Sequence, residues 1–376
     1  MALTTSDTPR GRAVEHRRML LYSSQIIYPF AALLLFSAYY IIFPQVLFLH
    51  RKPSLRQVAL HQPLPDRLLF LEAIRASSIR CRKKPFCWVK PKNDEPPKIA
   101  FLFLTNSNLT FTPLWERFFQ SANPSHFNVY VHADPSCKVK VPPSPIFKTQ
   151  FIPAKKTCRG SPSLIAAERR LLARAIIDDP RNLFFALISQ HCVPLHSFSY
   201  VYNFLFPDGV STSAQNAHKS FIEIISNDPN LQNRYKARGE QAMLPEVPFE
   251  KFRVGSQFFV LAKRHALVVL RDRKLWRKFK LPCLDLDSCY PEEHYFPTLL
   301  SMEDPSGCSG FTLTNVNWTG SFDGHPHLYQ PHEVSGDLLH RLRRSNTTRS
   351  FMFARKFAPE CLSPLMEMAE DVIFRD

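Results

Sequence analysis

Three uninterrupted apolar runs, each closed by polar or turn-forming residues, limit the fold most. They are Ile99-Ala100-Phe101-Leu102-Phe103-Leu104-Thr105, Phe127-Asn128-Val129-Tyr130-Val131-His132-Ala133-Asp134 and Asn182-Leu183-Phe184-Phe185-Ala186-Leu187-Ile188-Ser189. Runs that do not alternate with polar residues predict strands covered on both faces, as in a parallel sheet between helical layers. Pro113 to Gln120 fits an amphipathic crossover helix between the first two runs. Ser161 to Ile177, with Ser163 as N-cap, predicts the helix before the third. Further strands are expected over Ser220 to Ile225 and Ser256 to Leu261. The alternation predicts an α/β fold, whose ligands gather beyond the carboxyl ends of the strands. Those ends hold Thr105-Asn106, His132 to Asp134 and Ser189 to Cys192.

A second long-range feature precedes this pattern. Met19 to Leu49 contains no charged residue, which exceeds the ~18 apolar residues that suffice to cross a bilayer. A single membrane helix over 19–45 is expected, with residues 1–18 as a tail and 46–97 as a proline-containing stem in which Asp66 to Arg80 forms a short helix. A cleaved signal peptide fits less well, because the run outlasts an h-region and ends in Phe48-Leu49-His50-Arg51 without a small-residue cleavage site. The chain's net charge of +16 also concentrates here. Residues 1–98 carry 16 Lys+Arg against 6 Asp+Glu, net +10, leaving 32 against 26, net +6, for residues 99–376. The basic run Arg80 to Lys84 reads as a solvated face. All nine cysteines and all three N-x-[ST] sequons (Asn108, Asn317, Asn346) lie after the apolar run, which suits an oxidising, glycosylating lumen on that side of a membrane. Cys192, directly after a strand, is expected as an unpaired thiol.

Ten glycines among 376 residues form no G-x-G-x-x-G, P-loop or G-x-S-x-G motif, so side chains rather than glycine loops must hold any phosphate. No cysteine pair has the C-x-x-C spacing of a zinc site. Asp285-Leu286-Asp287 is a D-x-D outside any expected strand context and reads as coincidental. A nucleic-acid partner rests on net charge alone and is not expected.

Seven segments in chain order carry a resemblance: Val131-His132-Ala133-Asp134, Arg159-Gly160-Ser161-Pro162-Ser163-Leu164, Ser189-Gln190-His191-Cys192-Val193-Pro194-Leu195, Arg234-Tyr235, Arg253-Val254-Gly255-Ser256-Gln257-Phe258-Phe259, Cys289-Tyr290-Pro291-Glu292-Glu293-His294-Tyr295 and Phe353-Ala354-Arg355-Lys356-Phe357. Together they resemble the core-2/I-branching β-1,6-N-acetylglucosaminyltransferase family, in its plant branch. The resemblance implies a glycosyltransferase domain over 98–376 with a GT-A-like nucleotide-sugar fold and a mixed, mainly parallel sheet. It further implies an inverting mechanism without a metal or other cofactor, a UDP-sugar donor, a carbohydrate or glycoprotein acceptor, and a single-pass type II anchor in the Golgi membrane with the catalytic domain luminal.

By the same resemblance Glu293 takes the position of the catalytic glutamate, with Glu292 where the family often has Asp. Two carboxylates after Pro291 also suit a helix N-terminus. Lys356 matches the basic residue that stands in for a metal at the diphosphate, though a lysine among aromatics can equally pack its stem on them. The arginine that animal relatives place shortly before it is absent from His325 to Pro331, which leaves Arg349 or His327 to substitute. His132 and Asp134 fall at the uracil and ribose edge, where Asp134-Pro135 also suits a turn. Arg234, Tyr235 and Ser256 fall on the acceptor side, where structural roles fit them as well. Against the enzyme stands a membrane-tethered, catalytically silent glycan-binding protein on the same fold.

Overall fold

In the computed structural model, which describes residues 65–78, 95–207, 219–321, 324–344 and 350–376, the three apolar runs form adjacent strands. β1 (Lys98–Thr105) is buried along its whole length. It pairs in parallel with β2 (Phe127–Ala133) on one side and β3 (Asn182–Ser189) on the other, so that Phe101 lies level with Val129 and Ala186. β4 (Val193–Pro194), β5 (Ser220–Glu223), β6 (Val260–Ala262), β7 (Cys308–Gly310), β8 (Thr314–Val316) and β9 (Phe353–Arg355) complete the strands. The main sheet runs β2-β1-β3-β6-β5-β7, and a second, three-stranded sheet runs β4-β9-β8. β6 is antiparallel to β3 and β5, while β5 and β7 are parallel. The sheet is mixed and mainly parallel, as expected.

The helices are α1 (Asp66–Ser78), α2 (Thr112–Gln120), α3 (Pro162–Asp178), α4 (Phe198–Leu205), α5 (Leu231–Lys236), α6 (Lys263–Arg271), α7 (Lys274–Phe279), α8 (Leu286–Cys289), α9 (Tyr295–Glu303), α10 (Gly336–Arg343) and α11 (Leu362–Glu367). The N-cap of α3 is Ser161, whose hydroxyl accepts from the Ser163 N–H, because Pro162 occupies the first helical turn. Ser163, expected in that role, instead accepts the Cys158 N–H. The strand expected over Ser256 to Leu261 starts only at Val260, since Ser256 and Gln257 bond to Glu223 and Glu168 rather than to a neighbouring strand. α1, expected as part of a stem, packs on α3: Asp66 pairs with Arg170 and Lys155, and Arg169 lies 4.7 Å from the centre of the Phe70 ring. Residues 1–18 and the expected span 19–45 lie outside the described residues. Among the described residues no helix is long and apolar enough to cross a membrane.

The two sheets meet around Phe101. Its ring lies 5.0 Å from Phe119, 5.8 Å from Phe118, 6.2 Å from Trp115 and 6.4 Å from Phe353 of the second sheet. Trp115 anchors the same cluster through its indole N–H, which donates to the Cys192 carbonyl at 3.2 Å. Such edge-to-face contacts add to the large apolar area that each ring removes from water. Phe101→Ala is expected to cost about 3–5 kcal/mol by leaving a cavity that surrounding rings fill only in part. Chemical denaturation of both proteins measures it, and a loss under 1 kcal/mol would contradict a cluster that joins the sheets.

Candidate active site

The segment that carries Glu293 is shaped by local chemistry. A disulfide joins Cys283 to Cys289, and Tyr290 then takes a left-handed conformation (φ 32°). Pro291 opens a short 3-10 turn through Glu293, whose N–H donates to the Tyr290 carbonyl at 3.0 Å. The Glu293 carbonyl accepts from the Gly255 N–H at 2.9 Å. Gly255 has no freedom to be another residue, because a Cβ there would lie 2.0 Å from the Glu223 carbonyl oxygen. The half-buried Glu293 carboxylate accepts from Arg234 Nη1 at 2.9 Å. His294 is fully buried and stacks on Phe252, and burial pushes its pKa down to about 3. It is neutral, so its Nδ1–H donates to the Arg253 carbonyl at 2.9 Å. Glu223 lies on the same side, accepting from the Ser256 N–H at 2.9 Å, with its pKa raised by burial and by the nearby Glu293.

Behind Glu293 sits a second, sealed charge cluster. Glu292 is 4% exposed; one oxygen accepts from the Gly160 N–H at 2.9 Å and the other has no partner. Burial pushes its pKa up to about 7. Glu168 is fully buried, accepts from Gln257 Nε2 at 2.6 Å and is likewise raised by burial. Arg238, also buried, presents three nitrogens without partners and is drawn electrostatically to Glu292.

Cations gather on the open side. Arg355, at the end of β9, lies 4.3 Å from the centre of the Phe258 ring with its Nε buried and unpartnered; burial lowers its pKa, and Glu293 acts on it electrostatically. Lys356 follows directly, its carbonyl accepting from the Tyr329 N–H at 2.8 Å. Arg159 lies 5.6 Å and Arg234 5.5 Å from the centre of the Tyr290 ring, and Arg159 also donates to the Gly324 carbonyl. Glu293 therefore faces Arg234, with Arg159, Arg355 and Lys356 in the surrounding segments.

A sequence-based expectation for Asp134 meets a full set of internal bonds. One oxygen accepts from the Ser136 N–H and hydroxyl, the other from the Thr157 N–H and hydroxyl, and although burial opposes it these bonds hold its carboxyl well below the usual range. His132 is buried, its Nε2 accepts from the Lys155 N–H, and burial together with Arg170 pushes its pKa down to about 4. The pair holds the 155–157 segment against the end of β2. Tyr235 is buried and donates its hydroxyl to the Val247 carbonyl. The Ser256 hydroxyl accepts from the Phe258 N–H. His327 lines an open cleft of about 880 Å³ with Trp318, Tyr329 and Arg341, donating from Nε2 to Glu333 at 2.7 Å. Arg349 and the Asn346 sequon lie outside the described residues. Asn108 is exposed, and Asn317 is half-buried with its side chain capping the Thr319 N–H. Asp285 accepts from the Asp287 N–H as the cap of α8, and among the described residues no acidic, histidine or cysteine cluster is arranged to hold a metal. Cys192 is free and buried, as expected of it, but so are Cys308 and Cys361, and Cys137 and Cys158 are also unpaired.

The family model for the core-2/I-branching enzyme matches residues 99–343. The chain belongs to the core-2/I-branching enzyme family. It is similar to glycosyltransferase BC10 of Oryza sativa subsp. japonica, 30% identical over 227 residues, which are 54% of this chain and 53% of that protein. The chain thus matches about half the length of this relative. The core-2/I-branching stretch includes Arg159, Arg234, Gly255, Glu292 and Glu293, while Arg355 and Lys356 lie beyond it. Glu168, Glu223, Arg159 and Arg355 escaped sequence reasoning. Glu223 had a signal, as an acid inside an otherwise apolar expected strand, and Arg355 had one as the neighbour of Lys356.

The buried Glu292 has a thermodynamic consequence. Between its ordinary value of 4.5 and about 7, the folded chain keeps a proton that the unfolded chain has lost, so stability falls as pH rises through that window. Glu292→Gln retains an oxygen for the Gly160 N–H and removes the titration. Its stability is expected to fall less steeply from about pH 5 to 7 and to exceed that of the native protein at about pH 8. Denaturation across pH measures this, and parallel curves would exclude a buried, protonated Glu292.

Proposed function

We propose that the chain is an inverting glycosyltransferase that moves a sugar from a UDP donor to a hydroxyl of a glycan or glycoprotein. The observation that carries the proposal is a carboxylate, Glu293, fixed by Arg234 and by its backbone bond to Gly255 in a site otherwise rich in cations. Glu293 takes the proton of the acceptor hydroxyl as that oxygen attacks the anomeric carbon, and the bond from that carbon to the diphosphate breaks on the opposite face. Arg234 orients the carboxylate. Lys356, with Arg355 as the second cation that His325 to Pro331 does not supply, takes up the negative charge of the departing UDP. An arginine in a dry, aromatic-lined place is a stronger partner for phosphate than one in water. The cleft beside Tyr329 and Lys356, with Trp318 offering a flat apolar face, has room for a sugar ring.

Two positive side chains at the diphosphate support metal-independent transfer, with N-acetylglucosamine as the first donor to test. The Cys283–Cys289 bridge, the sequons and the uncharged run 19–45 support a Golgi membrane location with residues 98–376 in the lumen.

UDP release from purified protein tests the reading. Glu293→Gln is expected to lower turnover by roughly 10²- to 10⁴-fold, the usual contribution of a general base. Equal rates for the two proteins would remove Glu293 from the chemistry and favour the silent glycan-binding alternative. A chelator is expected to leave the native rate unchanged, and its loss would give Asp285 and Asp287 a role that their capping geometry does not suggest.

A further inference from the structure

Outside the site, the surface charge is uneven. Between residues 271 and 280 the side chains of Arg271, Arg273, Lys274, Arg277 and Lys280 are exposed, and none donates a hydrogen bond or closes an ion pair among the described residues. The one acid in that stretch, Asp272, is spent internally: its oxygens accept from the Leu275 and Trp276 N–H groups and from the Tyr295 hydroxyl. α7 turns its apolar side inward, with Leu275 3% exposed and Phe279 fully buried, so Lys274 and Arg277 point out. Arg273, Arg277 and Lys280 recur at i, i+4 and i+7 along α7 and its flanks, a spacing that suits a chain of separated negative charges better than one small anion.

A short series of bonds joins this ledge to the segment that holds Glu293. Lys278 is tied to Glu246 and to the Leu244 carbonyl, the Leu284 and Asp285 N–H groups both donate to the Ala237 carbonyl beside α5, and the Cys283–Cys289 bridge closes the loop that ends at Tyr290. α5 carries Arg234, the partner of Glu293. Two other polyanions fit less well. Leu284 and Leu286 are 76% and 70% exposed, yet they alternate with Asp285 and Asp287, which cannot enter an anionic lipid surface with them. A single-stranded nucleic acid is held by exposed aromatic faces on which its bases stack, whereas Trp276 packs on Tyr295 and Arg169.

We propose that α7 and its flanks form a docking ledge for an acidic polysaccharide, bearing uronate or sulfate groups, that delivers the acceptor hydroxyl to Glu293. The inference rests on the glycosyltransferase reading and names its acceptor class. The test uses the full chain in detergent with fluorescent oligogalacturonate, dextran sulfate, neutral dextran and phosphatidylserine-containing vesicles as separate probes. The native chain is expected to bind an acidic glycan but not neutral dextran, more weakly as salt rises. The variant R273Q/K274Q/R277Q/K280Q is expected to bind it at least roughly tenfold more weakly, each exposed contact contributing modestly. A control that removes as much charge elsewhere, K138Q/K140Q/K148Q/K156Q, is expected to bind as the native chain does, and unchanged thermal midpoints show that both variants fold. Preference for oligogalacturonate or dextran sulfate identifies uronate or sulfate. Equal binding by the native chain and the ledge variant, equal losses in both variants, or binding confined to the vesicles overturns the ledge. UDP release by the native chain is measured in parallel: its absence counts against the glycosyltransferase reading, and the binding comparison still decides the ledge.

Discussion

The hydrogen bond from the Gly255 N–H to the Glu293 carbonyl is the joint on which the site depends. Gly255 lies so close to the Glu223 backbone that no side chain fits between them. One contact therefore sets the turn of Glu293, the segment bearing Ser256 and the end of β5 in a single arrangement. The Glu293 side chain then needs only Arg234 to fix its direction. A carboxylate held by backbone geometry loses little freedom on binding, which is the condition for the proton acceptor that Glu293 is proposed to be. At larger scale the Phe101 cluster does the same for the two sheets, since Phe353 belongs to the strand that ends in Arg355, immediately before Lys356.

Charge is handled differently inside and outside the domain. Arg169 is buried against Phe70, Trp276 and Tyr295, and Arg355 against Phe258. Ring faces compensate part of the cost of taking a guanidinium out of water, without the neutralisation that a carboxylate brings. That distinction matters for Arg355, whose buried Nε has no hydrogen-bond partner and which lies where a diphosphate is proposed to leave. Lys274 and Arg277 of α7 have no such burial and stand exposed at the surface.

Long-range apolar patterning made β1, β2, β3 and the helices between them legible, because runs buried over most of their length, all eight residues in β1, leave the chain little choice but the centre of a sheet. The shorter elements were read less well for identifiable reasons. β6 begins at Val260 because Ser256 and Gln257 are committed to Glu223 and Glu168, acids more than thirty and eighty residues away. The helix at Asp66 was legible as a helix but not as part of the domain, since the partners of Asp66, Lys155 and Arg170, come from distant segments. In the site, Glu293 and Lys356 could be singled out only through resemblance. Glu168 reads as an ordinary surface acid of an amphipathic helix, and nothing in its neighbours announces that it is sealed. Asp134 was legible as a polar residue at a strand end, but two of its four internal hydrogen bonds come from Thr157, in a segment folded back from far along the chain, and only the two from Ser136 are local.

Glu292 and Glu293 are adjacent in sequence and identical in chemistry, so only their surroundings can divide labour between them. Glu292 turns inward and finds one N–H and no cation within hydrogen-bonding distance, which favours its neutral form. Glu293 turns toward solvent and an arginine. The 3-10 turn that begins at Pro291 separates the two side chains in this way, since successive residues of so tight a helix point about a third of a turn apart. Neighbouring acids whose environments push them apart are a recurring way to obtain a fixed structural carboxyl and a working carboxylate from one short segment. Here the structural member ties Gly160, and with it the loop of Arg159, to the turn that holds the proposed base. That one bond is therefore a direct link between the loop of Arg159 and the backbone on which Glu293 stands.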